Sequence, residues 1–574
     1  MAILQPLIDI ATICHAHGVR HVVISPGSRS AALTLAFARH QGFETHVCMD
    51  ERSAGFIALG IAQQLNVPVV LICTSGSAAY NFAPAVTEAF FQQVPLVVLT
   101  ADRPKEWTHQ LDGQTIYQSE IYGKHVKRAF ELSPDYQHAD VVWAINRIAN
   151  EAVNLAGTAP AGPVHINIPI REPFYPSESE SFFSSGSVRQ ITRTNASPIL
   201  DTETWHELLD EWDGSGKILI AGGQARFDKR LNDLLDRINE EWDIPVVADC
   251  ISNLPGTGFI RNHDLFLSSK RHPDASPDLL ITFGLSFISK DLKLFLRNNP
   301  PLKHWHIGLD TFLSDPTQSI TRQIPVRPDY FFEMLYEKID YQLFVQNSDP
   351  ENSTDYAHKW QRAELEAADA KQKYLGNLTQ LNDLTSLDKL FLYIKNDYQL
   401  HIANSMSIRY ANVLTLPNTV SEVFANRGTS GIDGCVSTAI GAAKVNGKPT
   451  LLIVGDVAFL YDRNGLLIND LPENLKIVVL NNAGGNIFRM IDGPAGLPEL
   501  ETFFETRHSF SARRTCKDSG ISYFDANNLQ SLETTVQDFL NKDGISLLEI
   551  FTDPVENEKA WKGLRQLSKS SAFY

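Results

Sequence analysis

The stretch VGDVAFLYDRNGLLINDLPENLKIVVLNNAGG, residues 454–485, decides how this chain is interpreted. Two apolar strands, LLIV and IVVL, end at Gly455-Asp456 and at Asn481-Asn482. Because the strands of a parallel sheet end on the same edge, Asp456 and Asn482 can meet over one cleft. A carboxylate, an amide oxygen and a backbone carbonyl suit Mg²⁺, which proteins often share with phosphate groups. The stretch therefore predicts a parallel α/β sheet that holds a diphosphate through a metal ion.

The size and composition of the chain indicate a globular protein of several domains. It has 574 residues, 43% of them apolar and 20% charged, and a formal net charge of -17. This acidity argues against binding to nucleic acid or to an anionic membrane surface. No apolar run is long enough for a membrane span, and the N-terminus resembles a helix rather than a signal peptide. Six scattered cysteines predict free thiols in a reducing cytoplasm.

Short apolar runs alternate with helical patterns along the whole chain, which predicts parallel sheets covered by helices on both faces. The predicted fold is α/β, with three doubly wound parallel-sheet domains at 1–180, 198–340 and 359–574. A Ser-rich linker at 177–198 and a connection at 341–358 separate them. The predicted strands are 21–25, 43–49, 68–74, 95–102, 162–170, 217–223, 244–250, 278–284, 303–310, 401–406, 419–426, 450–456, 476–482 and 545–551.

In such sheets, ligands bind beyond the carboxyl ends of the strands, so the residues that follow each strand are the candidates for function. Gly-Asp after a strand is by itself often a helix cap, and Asn-Asn-x-Gly is often a turn. Their pairing on successive strands favours the metal site. Gly484 and Gly485 would let backbone carbonyls approach the ion.

Glu51, in the stretch MDERSAGFIALG (49–60), has two possible roles. An acidic residue is favourable at the positive start of a helix, and this role alone could account for it. Alternatively, the carboxyl group could share a proton with a ring nitrogen of a cofactor and so activate it. The stretch alone favours the structural role.

Four arginines follow predicted strands on the ligand edge. They lie in SPGSRS, TADRP, NSMSIR and ANRGTSG, at Arg29, Arg103, Arg409 and Arg427. Arginine binds carboxylates and phosphates through two parallel hydrogen bonds, although any one of the four could instead form a surface ion pair of little energetic value. In a chain of net charge -17, the four together indicate a pocket for a multiply anionic substrate.

The paired Gly-Asp and Asn-Asn segments resemble the thiamine-diphosphate motif. In that superfamily one α/β domain binds the diphosphate through Mg²⁺ or Mn²⁺, and a second binds the aminopyrimidine ring. Seven stretches narrow the match, in this order: SPGSRSAALTLAF, DERSAGFIALGIA, TADRP with Gln114, NSMSIR, NRGTSGIDG, GDVAFLYDRNGL and NNAGGNIF. Together they resemble the 2-succinyl-5-enolpyruvyl-6-hydroxy-3-cyclohexene-1-carboxylate synthases of menaquinone biosynthesis, the MenD family.

The resemblance implies a transferase that decarboxylates 2-oxoglutarate on thiamine diphosphate and adds the succinic-semialdehyde carbanion to isochorismate. It implies a pyrimidine-binding first domain, a non-catalytic middle domain and a diphosphate-binding third domain. It further implies the following roles: Glu51 as the catalytic residue at the pyrimidine; Ile432 between the cofactor rings; Gly455, Asp456 and Asn482 as cofactor contacts; and Asp456, Asn482 and Gly484 as metal ligands. The substrate contacts it implies are Ser28, Arg29, Arg103, Gln114, Lys290, Ser405, Arg409, Arg427, Ile487 and Phe488.

The chain departs from the superfamily pattern at two places. Val457 stands where the usual motif reads GDG, a change that this family tolerates. Asp291 follows Lys290 where relatives can have a second basic residue, which weakens the case for a substrate contact from the middle domain. In the superfamily the glutamate and the metal motif of one site come from different subunits, which implies a homodimer or homotetramer.

Two other functions are compatible with parts of the pattern. An acetolactate-synthase-like enzyme or a 2-oxoacid decarboxylase would keep the cofactor residues but lacks the arginine set of SPGSRS and TADRP. An inactive scaffold would keep only the fold, and the presence of Glu51, Ile432, Asp456 and Asn482 argues against it. No GxGxxG follows the first strand, and no Walker, HExxH or GxSxG motif is found.

Overall fold

Seventeen strands form three parallel β-sheets in the computed structural model. It describes residues 4–567 except 173–174, 176–182, 186–187, 268–274, 311, 340–349, 396 and 492, and omits the side chains of 350–354. The strands are β1 His21–Ile24, β2 Glu44–Val47, β3 Val69–Cys73, β4 Leu96–Asp102, β5 Ala129–Glu131, β6 Val164–Pro169, β7 Ile218–Gly222, β8 Val246–Ala248, β9 Leu279–Phe283, β10 Lys303–Ile307, β11 Arg322–Ile324, β12 Tyr398–Ile402, β13 Val420–Phe424, β14 Thr450–Gly455, β15 Leu475–Asn481, β16 Ser522–Ala526 and β17 Ser546–Phe551.

Helices connect the strands, as expected for parallel sheets, whose strands cannot be joined by tight hairpins. They are Gln5–Ala16, Ala31–Ala38, Glu51–Leu65, Ser77–Asn81, Ala83–Phe91, Ala139–Gly157, Thr202–Asp213, Lys229–Trp242, His263–Phe266, Lys290–Asn298, Pro328–Lys338, Pro350–Gly376, Asp383–Phe391, Met406–Leu414, Cys435–Asn446, Asp456–Asp462, Ile487–Met490, Arg513–Asp518, Leu529–Asn541 and Pro554–Gln566. Within the described part of the chain, no helix is both long and apolar enough to cross a membrane.

The first and third sheets have the same strand order. The first sheet runs β2-β1-β3-β4-β6-β5 and the third runs β13-β12-β14-β15-β17-β16, while the second has five strands in the order β11-β10-β9-β7-β8. The confirmed α/β class therefore includes two topologically equivalent sheets. The order in which strands are added reverses between β1 and β3 in the first sheet and between β12 and β14 in the third. Doubly wound sheets open a ligand crevice at this switch point.

The first and third sheets are joined by one apolar core. Val23, Leu71 and Val98 of the first sheet belong to the same buried cluster as Leu452 and Val454 of the third. Between the sheets, helix Glu51–Leu65 crosses helix Cys435–Asn446. A Cβ atom on Gly60 would lie 2.0 Å from the Thr438 carbonyl oxygen, and one on Gly441 would lie 2.1 Å from that of Ile57. The close approach therefore requires glycine on both helices.

One strand prediction needs correction, and three strands have no counterpart among the predictions. The strand predicted at 401–406 lies earlier in the chain, because β12 spans Tyr398–Ile402. The predicted segment includes only the last two residues of β12, and a helix starts at Met406. The edge strands β5, β11 and β16 were not predicted. Two of them have only three residues, and β16 (SYFDA) is largely half-exposed, so none carries the continuous apolar run that marks a buried strand.

The domain boundaries stay predictions. The strands of the three sheets span 21–169, 218–324 and 398–551, which lies within the proposed ranges. Helix Pro350–Gly376 begins inside the predicted connection and continues past 359. On this helix Trp360 packs its ring against Phe266 and Phe295 of the second block. The described residues of the predicted 177–198 linker form neither helix nor strand.

Candidate active site

The predicted metal ligands lie next to each other at the carboxyl edge of the third sheet. β14 ends at Gly455, and Asp456 begins the following helix with its side chain buried. Its Oδ2 atom accepts a 2.9 Å hydrogen bond from the backbone amide of Gly484, which follows β15. Gly484 has φ +157°, and a Cβ there would lie 2.7 Å from the carbonyl oxygen of Glu505. The loop after β15 can therefore fold onto Asp456 only with glycine at this position.

Asn482 presents an unsatisfied oxygen beside this carboxylate. Its Nδ2 group donates a 3.0 Å hydrogen bond to Asp383, and the buried Oδ1 atom has no hydrogen-bond partner among the described residues. A buried acceptor without a donor is destabilising, and a cation would compensate it. Asp383 also accepts a 2.6 Å hydrogen bond from Thr552. Burial raises the pKa of Asp383 to about 6. The donor set of this edge therefore fits a hard divalent ion such as Mg²⁺ or Mn²⁺.

Two further groups belong to the same edge. His508 places Nε2 3.3 Å from Asp456 Oδ2. The carbonyl of Gly484 accepts a 2.9 Å hydrogen bond from the backbone amide of Asn486, which occupies only one of its two lone pairs. Sequence reasoning missed His508 and Asp383. Asp383 follows Asn382, whose side chain forms a capping box with Thr385, so the local pattern indicates only a helix start.

Replacing Asp456 by alanine tests the metal ligands. We expect thiamine diphosphate to bind at least about tenfold more weakly at limiting Mg²⁺, because the change would remove the predicted charged ligand of the ion. The measurement is cofactor affinity by calorimetry at low and high Mg²⁺. Asp525→Ala, which removes an exposed carboxylate of β16, is the matched control. An affinity equal to that of the unmodified chain at low Mg²⁺ would contradict the assignment.

Glu51 lies at the first position of helix Glu51–Leu65 and is partly buried. The capping function belongs to its neighbour Asp50, which accepts hydrogen bonds from the backbone amides of Arg52 and Ser53 at 2.9 and 3.4 Å. Glu51 lines a cavity of about 490 Å³, together with Met49, Asp50, Arg52, Asn81, Asn464 and Leu467. Of the described residues, those that line this cavity do not include Asp456, Asn482 or Gly484.

Three cationic side chains meet at the switch point of the third sheet. Arg409 donates to the Ser405 carbonyl, and Arg427 donates a 3.0 Å hydrogen bond to Asn404. Burial lowers the pKa of Arg409, and the charge of Arg427 lowers it further. Burial also lowers the pKa of Lys293, again with Arg427 as the largest charged contribution. Cations held this close in a partly buried site favour an anionic ligand.

A strained residue lies beside this cluster, and a buried acid fixes one of its loops. Ser405 has φ +74°, a conformation uncommon outside glycine and frequent at functional sites. Glu88, from the first domain, is buried and accepts hydrogen bonds from the backbone amides of Gly428 and Thr429 at 2.7 and 2.6 Å. Glu88 therefore fixes the loop that carries Arg427.

Lys293, rather than the predicted Lys290, points toward the arginines. Lys290 starts helix Lys290–Asn298 and is exposed, whereas Lys293 is partly buried and shares a cavity of about 490 Å³ with Arg427. Asp291, between them, pairs with Arg565 of helix Pro554–Gln566. Residues three apart are neighbours on one face of a helix, so the difference lies along the helix: Lys290 is its exposed first residue, and Lys293 lies one turn further on, beside the cavity.

A second cationic group lies at the carboxyl edge of the first sheet. Arg29 is buried and donates a 2.8 Å hydrogen bond to the Ile170 carbonyl. Burial lowers the pKa of Arg29, and the charge of Arg103 is the next largest cause, so the two guanidinium groups are close. Arg103 pairs with Asp112 at 2.8 Å. Gln114 lies against Gly76 of the loop after β3. Ser28 is exposed.

The apolar residues that were predicted to contact the cofactor or substrate border the carboxyl edge of the third sheet. Ile432 is partly buried against the core that joins the first and third sheets. Ile487 is partly buried against the core shared by the second and third sheets. Phe488 lies 5.7 Å from the ring of Phe504.

Comparison with known proteins identifies the class. Residues 9–126 match the family described as thiamine pyrophosphate enzyme, N-terminal TPP binding domain. Together with the three parallel sheets, this match defines a thiamine-diphosphate-dependent enzyme.

Relatives of nearly full length narrow the class to a family. The chain is 42% identical over 573 residues to a protein of Cytophaga hutchinsonii named 2-succinyl-5-enolpyruvyl-6-hydroxy-3-cyclohexene-1-carboxylate synthase, covering 99% of this chain and 100% of the relative. Proteins of the same name from Flavobacterium johnsoniae and Flavobacterium psychrophilum are 37% and 36% identical, covering 97% and 96% of both chains. The chain therefore belongs to the 2-succinyl-5-enolpyruvyl-6-hydroxy-3-cyclohexene-1-carboxylate synthase family.

Proposed function

We propose that this chain is a thiamine-diphosphate-dependent transferase of menaquinone biosynthesis. It decarboxylates 2-oxoglutarate and adds the remaining four-carbon unit to isochorismate, which gives 2-succinyl-5-enolpyruvyl-6-hydroxy-3-cyclohexene-1-carboxylate. The observation that carries this proposal is the pair of cationic groups on two sheet edges, Arg29 with Arg103 and Arg409 with Arg427. Each of the two cationic groups can bind a dicarboxylate, and both substrates of this reaction are dicarboxylates. The full-length identity to synthases of this name supports the same reaction.

The side chains have distinct roles in this proposal. Bound thiamine diphosphate supplies the electron sink for decarboxylation. Asp456, Asn482 and the carbonyl of Gly484 hold Mg²⁺ or Mn²⁺, and Gly455 borders the diphosphate. Glu51 would hold a proton at the N1′ atom of the aminopyrimidine, and Ile432 would pack between the two cofactor rings. The orphaned Oδ1 of Asn482 supports the metal assignment.

The two substrates occupy different edges. Ser405, Arg409 and Arg427 bind the carboxylates of 2-oxoglutarate, and Ser28, Arg29, Arg103 and Gln114 bind isochorismate. Ile487 and Phe488 form an apolar wall that lowers the hydration of charge at the reacting centre, which favours the loss of CO₂.

The active site is shared between two copies of the chain, with the pyrimidine-binding domain at 1–180, the middle domain at 198–340 and the diphosphate-binding domain at 359–574. Support comes from Glu51, whose cavity is lined by Asn464 and Leu467 but, within the described part of the chain, by none of the metal ligands. A homodimer is the smallest such assembly. The six unpaired cysteines fit a reducing cytoplasm, the compartment that we propose.

An assay with both substrates tests the reaction. Purified protein is given 2-oxoglutarate and isochorismate, with and without Mg²⁺ and thiamine diphosphate, and CO₂ release and product are measured. We expect product only when all four components are present. Turnover of pyruvate in the absence of isochorismate would instead favour a 2-oxoacid decarboxylase or an acetolactate-synthase-like enzyme.

Removing Arg409 tests the assignment of the two substrate sites. We expect Arg409→Ala to raise KM for 2-oxoglutarate, or to lower kcat, by roughly 10- to 150-fold, since a hydrogen bond to a charged group contributes about 1.5–3 kcal/mol. The KM for isochorismate should change little. Arg103→Ala is the reciprocal variant, with the larger change expected for isochorismate. If Arg409→Ala affects isochorismate alone, the two sites are assigned the wrong way round.

Replacing each of the two lysines of helix Lys290–Asn298 tests which one contacts the substrate. The resemblance implies Lys290, whereas the cavity shared with Arg427 favours Lys293. We expect Lys293→Met to raise KM for 2-oxoglutarate about tenfold, because it removes a cation from the Arg409–Arg427 group. Lys290→Met, the matched control at the exposed position, should change it less than about threefold. Steady-state kinetics of both variants give the answer, and the reverse ranking would restore Lys290 as the contact.

A further inference from the structure

Two histidines and a glutamate meet at the amino ends of β1 and β2, on the opposite edge of the first sheet from the substrate residues. In this parallel pair His21 lies opposite Glu44, and Val23 lies opposite His46. Because side chains alternate along a strand, residues 44 and 46 of the edge strand share a face with His21. The strand register thus brings together three groups that are up to 25 residues apart in the sequence.

The ligand atoms are spaced as in a metal site. His21 Nδ1 lies 3.3 Å from His46 Nε2, and these atoms lie 3.8 and 3.7 Å from the two carboxylate oxygens of Glu44. Zinc–nitrogen bonds of about 2.0–2.1 Å at tetrahedral angles place two ligand nitrogens roughly 3.3–3.4 Å apart. The histidine nitrogens therefore already have the separation that a tetrahedral ion requires.

The surroundings keep both imidazoles available as ligands. Burial lowers the pKa of His46 to about 4 and lowers that of His21 as well. Neutral imidazole is the form that binds a metal. Lys444, whose charge also lowers the pKa of His46, donates a 2.7 Å hydrogen bond to Asp470, which offsets its charge. Glu44 has 60% of its side chain exposed, so an ion can enter from solvent.

We propose that His21, His46 and Glu44 bind a divalent transition-metal ion of the zinc type, with water as the fourth ligand. Imidazole nitrogens select borderline ions such as Zn²⁺ over Mg²⁺, so this site is chemically distinct from the all-oxygen site at Asp456. A bound ion would tie the edge strand β2 to β1, and β2 leads through residues 48–50 directly to Glu51. The alternative is a hydrogen-bonded pair of neutral histidines that binds no metal.

Cobalt titration of the holoenzyme tests the proposal. With Mg²⁺ and thiamine diphosphate saturating, Co²⁺ is added and the visible spectrum is recorded. We expect one equivalent per chain to give the intense d–d absorption of tetrahedral Co²⁺, and Zn²⁺ to abolish it by displacement. Co²⁺ that replaces Mg²⁺ among oxygen ligands would be octahedral and absorb weakly, so the two sites give different signals.

Single replacements of two of the three proposed ligands assign the signal to this site. His46→Ala and Glu44→Gln should each weaken Co²⁺ binding at least about tenfold, whereas the control His206→Ala, at an exposed histidine of another domain, should not. Glu44 is exposed, so its variant tests the site even if His46→Ala does not fold. The absence of a tetrahedral spectrum, or an unchanged spectrum in Glu44→Gln, would overturn the proposal.

Discussion

Replacing Glu51 by glutamine is expected to lower kcat by about 10²–10⁴-fold, the usual contribution of a positioned acid–base group. Glutamine keeps the size of the side chain but cannot hold or share the proton at the N1′ atom of the aminopyrimidine. The KM values for both substrates should change much less, because neither substrate site includes Glu51. Single-turnover and steady-state kinetics at saturating cofactor measure the effect.

A purely structural role of Glu51 makes a different prediction. Asp50, the adjacent residue, caps the same helix through its bonds to the amides of Arg52 and Ser53. If Glu51 only favoured the positive helix start, its loss would cost about 0.3–1 kcal/mol of the free energy of unfolding and leave kcat nearly intact. Asp50→Asn is the matched control, since asparagine caps helices as well as aspartate does. A kcat for Glu51→Gln within a few-fold of that of Asp50→Asn would eliminate the catalytic role.

The meeting of the predicted metal ligands at the carboxyl edge of the third sheet could be predicted, because it follows from the topology of a parallel sheet. Strand patterns ending at Gly455 and Asn481 suffice to bring Asp456 beside the loop of Gly484, since parallel strands share a carboxyl edge. The sequence did not reveal what orients these ligands. Asp383 reaches Asn482 from 99 residues away, and no local pattern records a contact of that separation.

Three other features could not be predicted from the sequence, each for a specific physical reason. Lys290 and Lys293 are three residues apart and share a face of the helix, but Lys290 is the exposed first residue, and only Lys293, one turn further on, lies in the cavity with Arg427. The His21–Glu44–His46 group depends on the register of two short strands, so the sequence spacing of the histidines gives no sign of it. The matching strand orders of the first and third sheets were also undetected, because topology is preserved without similarity of sequence.

That shared topology bears on how the active site is completed. The loop after β2 carries Glu51, whereas the loops after β14 and β15 carry Asp456 and Asn482. Helix Glu51–Leu65 and helix Cys435–Asn446 cross so closely that both need glycine at the contact. The crossing packs the two domains of one chain directly against each other. Because the described residues that line the cavity of Glu51 do not include the metal ligands, we propose that a second copy supplies one of the two halves of the site.

Mixing two inactive variants is therefore expected to restore activity. At limiting Mg²⁺ and cofactor, where Glu51→Gln and Asp456→Ala chains are each expected to be nearly inactive alone, the two variants exchange subunits into mixed dimers. In a mixed dimer one site combines both substitutions and the other has neither. Random exchange of equal amounts makes about half of the dimers mixed, so roughly a quarter of the original activity should return. The measurement is the rate of product formation after exchange, with differently tagged chains to quantify the mixed dimers.

The matched control mixes Asp456→Ala with chains that carry Asp456→Ala and Glu51→Gln together. Every dimer in this mixture lacks Asp456 in both subunits, so no site is complete and no activity should return, even though the chains exchange equally well. If the first mixture also stays inactive while tagged mixed dimers are abundant, each site is built within a single chain. The separation of Glu51 from the metal ligands would then have to be bridged by movement of the domains rather than by a second subunit.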